Sequence, residues 1–431
     1  MTQFTETIYR LFQSHPSIST DTRNILPGSI FFSLKGEHFD GNKFASAALE
    51  QGSSYAIVDD LSVVKSDRFI LVEDTLKELQ SLATFHRNRF RIPLIAITGT
   101  NGKTTTKELI RTVLEQKYRT VSTSGNLNNH IGVPLTLLKI TPKSEIAIIE
   151  MGANHPGEID FLCRIANPGY GIITNIGRAH LEGFGSMEGV IKTKTELYRF
   201  LDKVGGTVFL NTDDSLLRKH ATGLRISTYG SPPAEVTVRS SDADPHVNAE
   251  IRLPGCEDIT IRTKLYGKYN VSNIAAAACI GHFFQVPADL IKRAIEGYEP
   301  ANNRSQIMMT RSNRLILDAY NANPSSMEEA LVAFAETSFS EKILILGDML
   351  ELGTNSDQEH QHILRRIGEL GLKRVFLVGP IFCRNNTLPE YHGFTDAALA
   401  KLWFEHHRPE QATILIKGSR GMQLETLVDT L

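Results

Sequence analysis

The chain has 431 residues, 41% of them hydrophobic and 22% charged, which is enough apolar material for about two to four globular cores at roughly 100–200 residues each. A formal net charge of −2 and the scatter of Lys and Arg exclude the basic footprint of a dedicated nucleic-acid binder, and no apolar run approaches the roughly 20 residues of a membrane span. Four widely spaced cysteines without a CxxC pair exclude a disulfide framework or zinc site and read as buried thiols of a reducing compartment. The opening Met1-Thr-Gln-Phe-Thr-Glu lacks the basic and apolar regions of a signal peptide, so a cytoplasmic chain is expected.

In chain order, residues 1–85 alternate short apolar runs with turns. Ser29–Leu34 and Tyr55–Val58 predict strands, and Phe44–Gln51 predicts one short helix. A basic stretch, His86–Arg91, leads into Pro93. Residues 86–300 open with the strand Leu94–Thr98, a Gly-rich turn, and a helix whose apolar positions are Leu109, Ile110, Val113 and Leu114. Further strands are expected at Glu145–Glu150, Gly171–Ile176 and Thr207–Leu210 with helices between them, which is the pattern of a parallel α/β sheet. Residues 235–266 alternate in character and predict antiparallel strands added to it. Residues 301–431 predict strands at Leu315–Leu317, Ile343–Leu346, Val375–Val378 and Thr413–Ile416, separated by helices near 325–337, 357–369 and 395–406, as in a second, doubly wound, Rossmann-like domain. The expected class is α/β in three domains: a small N-terminal one, a central parallel-sheet one and a C-terminal one.

Residues 98–106 read Thr-Gly-Thr-Asn-Gly-Lys-Thr-Thr-Thr between a predicted strand and a predicted helix. Glycines at Gly99 and Gly102 let backbone N–H groups crowd around phosphate oxygens, and the new helix adds the positive end of its dipole. Thr100, Asn101, Lys103, Thr104 and Thr105 complete the loop. Lys103 would reach the β- and γ-phosphates of ATP, and the Thr104 hydroxyl would ligate Mg2+. The spacing is GxxGKT; Ile97 occupies the place of the first glycine in the common GxxxxGKS/T pattern. Glu150 ends an apolar strand where a carboxylate is out of pattern, and the carboxyl ends of parallel strands are where ligands bind, so a hard oxygen ligand there suits Mg2+. A solvated strand-end carboxylate is the plainer reading. His180, after the strand GIITNI, reads either as a ligand or as a structural hydrogen bonder.

The shortened loop, taken with Ser124–Leu135 (SGNLNNHIGVPL), Glu150–His155 (EMGANH), His180–Ser186 (HLEGFGS), Asp318–Pro324 (DAYNANP), Leu346–Gly353 (LGDMLELG) and Lys417–Arg420 (KGSR), resembles the Mur ligase family over nearly the whole chain. The strings YNANP and KGSR resemble the branch that joins D-alanyl-D-alanine to UDP-N-acetylmuramoyl-tripeptide. The Asp-Asn-Pro-Arg signature of the sibling that adds the third residue is absent from the sequence. The resemblance implies an ATP-dependent ligase of bacterial cell-wall synthesis, working through an acyl phosphate, with those three small molecules as its partners and a monomer as the default state.

It further implies that Glu150 holds the Mg2+ between the β- and γ-phosphates and that His180 serves a second Mg2+. Lys194 would carry a CO2-derived carbamate supporting that second ion, which requires a depressed amine pKa. Lys192 competes for that role from a different helix face, and the spacing Lys-x-x-Leu-aromatic favours Lys194. Asn270 and Asn273 match a segment near the adenine, where helix N-capping is the alternative reading; family members usually carry His where Tyr269 stands. Arg304 and Asp318 resemble nucleotide contacts of the third domain. Thr20, Asp21, Arg23, Lys35, Asp40 and Asn42 resemble the UDP-sugar region, although His is usual at the position of Asn42. Lys417 and Arg420 are candidate partners of the dipeptide carboxylate, and Asp348 and Glu351 of its ammonium. Either pair could instead be a surface salt bridge of the third domain.

Two other readings stand beside this one. The first is a different ATP-dependent ligase of the superfamily, such as a folylpolyglutamate synthase or another wall-precursor step; the UDP-region strings weigh against the folate version. The second is a nucleotide-binding regulator without catalysis, against which the joint presence of Lys103, Glu150, His180 and Lys194 weighs. Substituting Arg23→Ala is expected to raise the KM for the UDP substrate more than that for ATP, because a guanidinium fork matches a pyrophosphate. Equal effects in steady-state kinetics would remove Arg23 from UDP recognition.

Overall fold

Short apolar runs with β-branched residues become strands, and the intervening amphipathic stretches become helices that cover them. A computed structural model describes residues 3–241, 245–301 and 303–431. Met1 and Thr2 of the N-terminal reading, residues 242–244 of the antiparallel segment and Asn302 of the third section lie outside the described residues. The chain divides into two compact units. The first takes residues up to Ala96 with Tyr118–Ala153 and Glu158–Tyr170; the second takes Ile97–Lys117, Asn154–Gly157 and Gly171–Leu431.

In the first unit, strands Ile18–Ser19, Ile30–Phe32, Tyr55–Val58 and Phe69–Leu71 form a parallel sheet in that order. Helices Gln3–Ser14 and Thr75–Arg87 were not foreseen from the sequence. They meet through Tyr9 against Phe85 and Phe12 against His86, both edge to face. The basic stretch is therefore split: Arg89 and Arg91 are exposed, but His86 and Arg87 are not. His86 is buried with Nε2 2.7 Å from the Ile140 carbonyl, and Arg87 is buried, donating to the carbonyls of Phe90, Ile92 and Ala166. The same unit holds the start of strand Leu94–Thr98 beside Ile146–Glu150, which pairs in parallel with Thr120–Ser122.

In the second unit the end of Leu94–Thr98 is followed across the sheet by Tyr170–Ile173, Thr207–Asn211, Arg225–Gly230, Val236–Ser241, His246–Arg252 and Ile259–Tyr266. Pairing is parallel from 207–211 through 236–241, then antiparallel for the last two pairs, as the alternating sequence predicts. Helices Lys103–Leu114 and Asn270–Phe283 pack on it. The C-terminal part of this unit has its own six-stranded sheet, ordered Gln306–Met309, Arg314–Asp318, Thr413–Lys417, Lys342–Gly347, Arg374–Val378 and His392–Phe394, parallel except at the first pair.

Alternation within the strand Lys342–Gly347 divides two cores. Leu344 and Leu346 face Met327, Ile363 and Phe382, whereas Ile343 and Ile345 face Ala400, Phe404 and Leu427. Helices thus cover both faces, the doubly wound arrangement. No described helix is long and apolar enough to cross a membrane. Phe404 is fully buried and lies edge to face on Phe376 at 4.9 Å. Phe404→Ala is expected to cost about 3–5 kcal/mol in denaturant unfolding of this region; a cost below about 1 kcal/mol would mean that the core closes over the lost ring.

Candidate active site

The turn between strand Leu94–Thr98 and helix Lys103–Leu114 is shaped by two glycines in left-handed backbone, Gly99 (φ 143°) and Gly102 (φ 74°). A Cβ on Gly99 would lie 2.0 Å from Thr174 Oγ1, and one on Gly102 would lie 2.9 Å from Asn273 Oδ1. The loop's inward polar groups are taken up by the segment after strand Tyr170–Ile173. Thr174 Oγ1 donates to the Asn101 carbonyl (2.6 Å), Asn175 Oδ1 accepts from Asn101 N (2.9 Å), and Thr100 Oγ1 accepts from Gly177 N (2.9 Å). Lys103 Nζ donates to the carbonyls of Gly99 and Thr100, both at 2.8 Å, and Thr104 and Thr105 share its helical turn. Of these supports, Thr174 and Asn175 were missed; their only signal was position at the end of the strand GIITNI.

Asn270 and Asn273 lie in the first turn of helix Asn270–Phe283, where neither caps it; the residue at the cap is Tyr269. Asn273 instead accepts from Thr106 Oγ1 (2.9 Å) and donates to Asn270 Oδ1 (2.8 Å), bracing the phosphate loop at Gly102. Tyr269, at the position where His is usual, is half-buried with its hydroxyl 2.8 Å from Ser305 Oγ. Beside it opens a cavity of about 420 Å3, lined among others by Lys268, Ser325, Glu329 and Glu336. Burial raises the Glu329 carboxyl above the ordinary range, partly offset by Lys417.

His180 has a left-handed backbone (φ 51°) at the head of the short helix Leu181–Phe184. Its ring meets Phe184 edge to face at 6.2 Å, and Lys194 Nζ sits 5.5 Å from the same ring, so His180 and Lys194 converge on one side chain. Lys194 is 2% exposed whereas Lys192 is exposed. Burial disfavours the charged form of an amine, which is the direction a carbamate-forming lysine needs. In the first unit, Glu150 is likewise buried at its strand end, with Oε1 accepting from Asn128 Nδ2 (2.9 Å) and its backbone N donating to Thr123 Oγ1. It is not the solvated carboxylate of the plainer reading. Within the second unit, the Thr104 hydroxyl, the His180 imidazole and a buried lysine able to become a carbamate are of the donor chemistry that Mg2+ accepts, as is the buried Glu150 carboxylate in the first.

The C-terminal residues are drawn to the loop and to one another. Asn323 Nδ2 donates to Asn101 Oδ1 (2.8 Å) while its own Oδ1 caps helix Pro324–Glu336. Ser325 Oγ accepts from Arg178 N (2.9 Å), and the Arg178 guanidinium reaches Glu359 (3.2 Å). Glu351 is paired with His180 Nδ1, which holds its carboxyl below the ordinary range.

Lys417 and Asp348, offered as dipeptide contacts or surface ions, are both buried. Lys417 Nζ donates to Asp318 (2.6 Å), and Asp348 accepts from the backbone N of Ile381 and Phe382 at 2.8 Å each. The surface-bridge alternative therefore fails for these two. Arg304 stacks 3.7 Å from the Tyr320 ring and the exposed Arg420 lies 5.6 Å from it, so one tyrosine gathers two guanidiniums.

Within the first unit, Thr20 leads into Asp21, which caps the turn Thr22–Asn24 and pairs with Arg23 (2.6 Å). This pairing lowers the Asp21 carboxyl to about 2. Arg23 itself projects into solvent. Lys35 pairs with Asp59 (2.8 Å). Asn42, 1% exposed, spends its amide on Asp40 (2.9 Å) and Asp59 (2.7 Å) and accepts from Asp59 N, so it knits the turn together. Asp59 was missed, although it directly follows the strand Tyr55–Val58.

The left-handed backbone and tight approach at Gly99 yield a direct test. Gly99→Ala is expected to weaken nucleoside triphosphate binding by about tenfold or more, about 1.4 kcal/mol, in calorimetric titration. Unchanged affinity with a native circular dichroism spectrum would show that the loop does not need this backbone.

Comparison with known proteins agrees with this geometry. Residues 16–87 match the Mur ligase family catalytic domain, 97–281 the Mur ligase middle domain and 303–420 the Mur ligase glutamate ligase domain. A UDP-N-acetylmuramoyl-tripeptide–D-alanyl-D-alanine ligase of Bacillus subtilis (strain 168) is 35% identical over 426 residues, 96% of this chain and 92% of that protein. A crystal structure of MurF from Acinetobacter baumannii is 30% identical with a TM-score of 0.87, covering 97% of each chain. MurF ligase from Thermotoga maritima in complex with ADP is 25% identical with a TM-score of 0.86, covering 100% of this chain and 98% of that one. With three consecutive domains matched and full-length relatives above 30% identity, the chain belongs to the Mur ligase family.

Proposed function

We propose that the chain joins D-alanyl-D-alanine to UDP-N-acetylmuramoyl-tripeptide at the expense of ATP, giving UDP-N-acetylmuramoyl-pentapeptide, ADP and phosphate in the cytoplasm. The observation that carries this reading is end-to-end similarity to ligases of that name, together with an intact phosphate loop and the His180–Lys194 convergence. In the reaction a carboxylate oxygen of the tripeptide attacks the γ-phosphorus of ATP, and ADP leaves. The neutral amine of the dipeptide then attacks the acyl carbon, and the tetrahedral adduct expels phosphate as the amine proton departs.

The chain's contribution is positioning and charge screening between anions. Lys103 exchanges the carbonyls of Gly99 and Thr100 for the β- and γ-phosphates. Gly99–Thr105 supply backbone donors, and Asn273 keeps the turn in shape. Arg304 and Asp318 are assigned to the nucleotide, and Arg420, free of buried pairing, to the dipeptide carboxylate. Thr20, Asp21, Arg23, Lys35 and Asp40 are assigned to the UDP moiety. In the second unit the residues that would hold Mg2+ are Thr104, His180 and Lys194 as its carbamate, and in the first unit Glu150 is assigned to Mg2+; when bound, the two ions would offset the charge of phosphates and carboxylate. The carbamate forms when the unprotonated Lys194 amine attacks CO2 and loses a proton, which turns a cation into a metal-binding anion.

The reading is tested by phosphate release from Mg-ATP with UDP-N-acetylmuramoyl-tripeptide, with and without D-alanyl-D-alanine, and by mass detection of the pentapeptide product. Dependence on both partners is the expected result; activity with a single amino acid in place of the dipeptide would move the chain to a sibling step. Lys194→Ala is expected to be nearly inactive and partly rescued by short carboxylates. If Lys192→Ala gives that phenotype instead, the carbamate belongs at Lys192.

A further inference from the structure

His180 and Glu351 come from separate Mur ligase domains of the second unit, yet they meet side chain to side chain. Both are non-glycine residues in left-handed backbone, with φ of 51° and 62°. Such conformations cost free energy and persist where surrounding structure imposes them. Here it does. Gly353, also left-handed, lets the loop press on Glu182, where a Cβ would stand 3.3 Å from that residue's Cβ. The Arg178 guanidinium reaches Glu359, and Arg178 N donates to Ser325. The Phe184 ring also meets the imidazole, edge to face. An isolated exposed ion pair would contribute little and would not need two strained backbones.

We propose that Glu351 is a positioning residue: its carboxylate, which lies against His180 Nδ1, draws the ring proton to that nitrogen and leaves Nε2 for the metal, so the C-terminal domain completes a metal site of the central one. A carboxylate on the outer ring nitrogen of a metal-binding histidine orients the ring and raises its basicity. The inference rests on the assignment of His180 to Mg2+ above.

The test uses the full-length chain with Glu351→Ala, Glu351→Gln and His180→Ala. Phosphate release is titrated with Mg2+ at saturating substrates, and the His180 ring nitrogens of the metal-free protein are observed by long-range proton–nitrogen NMR. Glu351→Ala is expected to raise the half-saturating Mg2+ concentration about tenfold and to lose the Nδ1–H tautomer. Glu351→Gln, which keeps an acceptor oxygen, is expected to restore much of both. A Mg2+ requirement raised by His180→Ala but untouched by Glu351→Ala overturns the positioning role alone. No change with His180→Ala overturns the metal assignment and the inference together. Persistence of the Nδ1–H tautomer in Glu351→Ala also overturns the proposal.

Discussion

A loop that turns its N–H groups toward a phosphate must turn carbonyls back toward protein, and those carbonyls need donors. That constraint organises the second unit. Thr174 serves the carbonyl of Asn101, Lys103 serves those of Gly99 and Thr100, and Asn175 and Thr100 tie the loop to the chain that leads on to His180. Gly99 has no side chain because Thr174 fills the place where one would go. The Gly99–Thr105 loop and the segment that leads on to His180 are therefore parts of one hydrogen-bonded frame.

The C-terminal domain answers that frame with polar groups. Asn323 both caps a helix and grips Asn101, so the start of helix Pro324–Glu336 is registered against the phosphate loop. Deeper in the same domain, the buried Lys417 is neutralised by Asp318. A lysine so buried is tolerable only with such a partner, and removing Asp318 would strand a charge. Asp318 thereby has a structural role, whereas Arg304 and Arg420 keep their guanidinium groups on the face of Tyr320.

Features whose cause is local were legible in the sequence. Strand Leu94–Thr98, the glycine turn and the helix after it are decided within a dozen residues, and the period-two division of Ile343, Leu344, Ile345 and Leu346 between two cores is written in adjacent positions. Helix Thr75–Arg87 was hidden because its buried face includes His86 and Arg87, whose partners Ile140 and Ala166 lie far along the chain. The site divides the same way. Lys103 announces itself by motif, but the bonds that make Asn42 and Asp348 structural, and the pairing of Glu351 with His180, join residues that no local pattern connects.

Tyr266 closes the last strand of the central sheet and is buried in the core of the C-terminal domain with Ile316, Ala322 and Met327. At the loop side the joining contacts are the amides, hydroxyls and charges of Asn101, Arg178 and His180 with their partners. One end is therefore an oily pivot and the other a wettable clasp. A swing about Tyr266 would expose groups whose hydrogen bonds water can replace and would leave the apolar packing shut. Since heat capacity rises chiefly with exposed apolar surface, such a swing carries almost none of the thermal signature of unfolding.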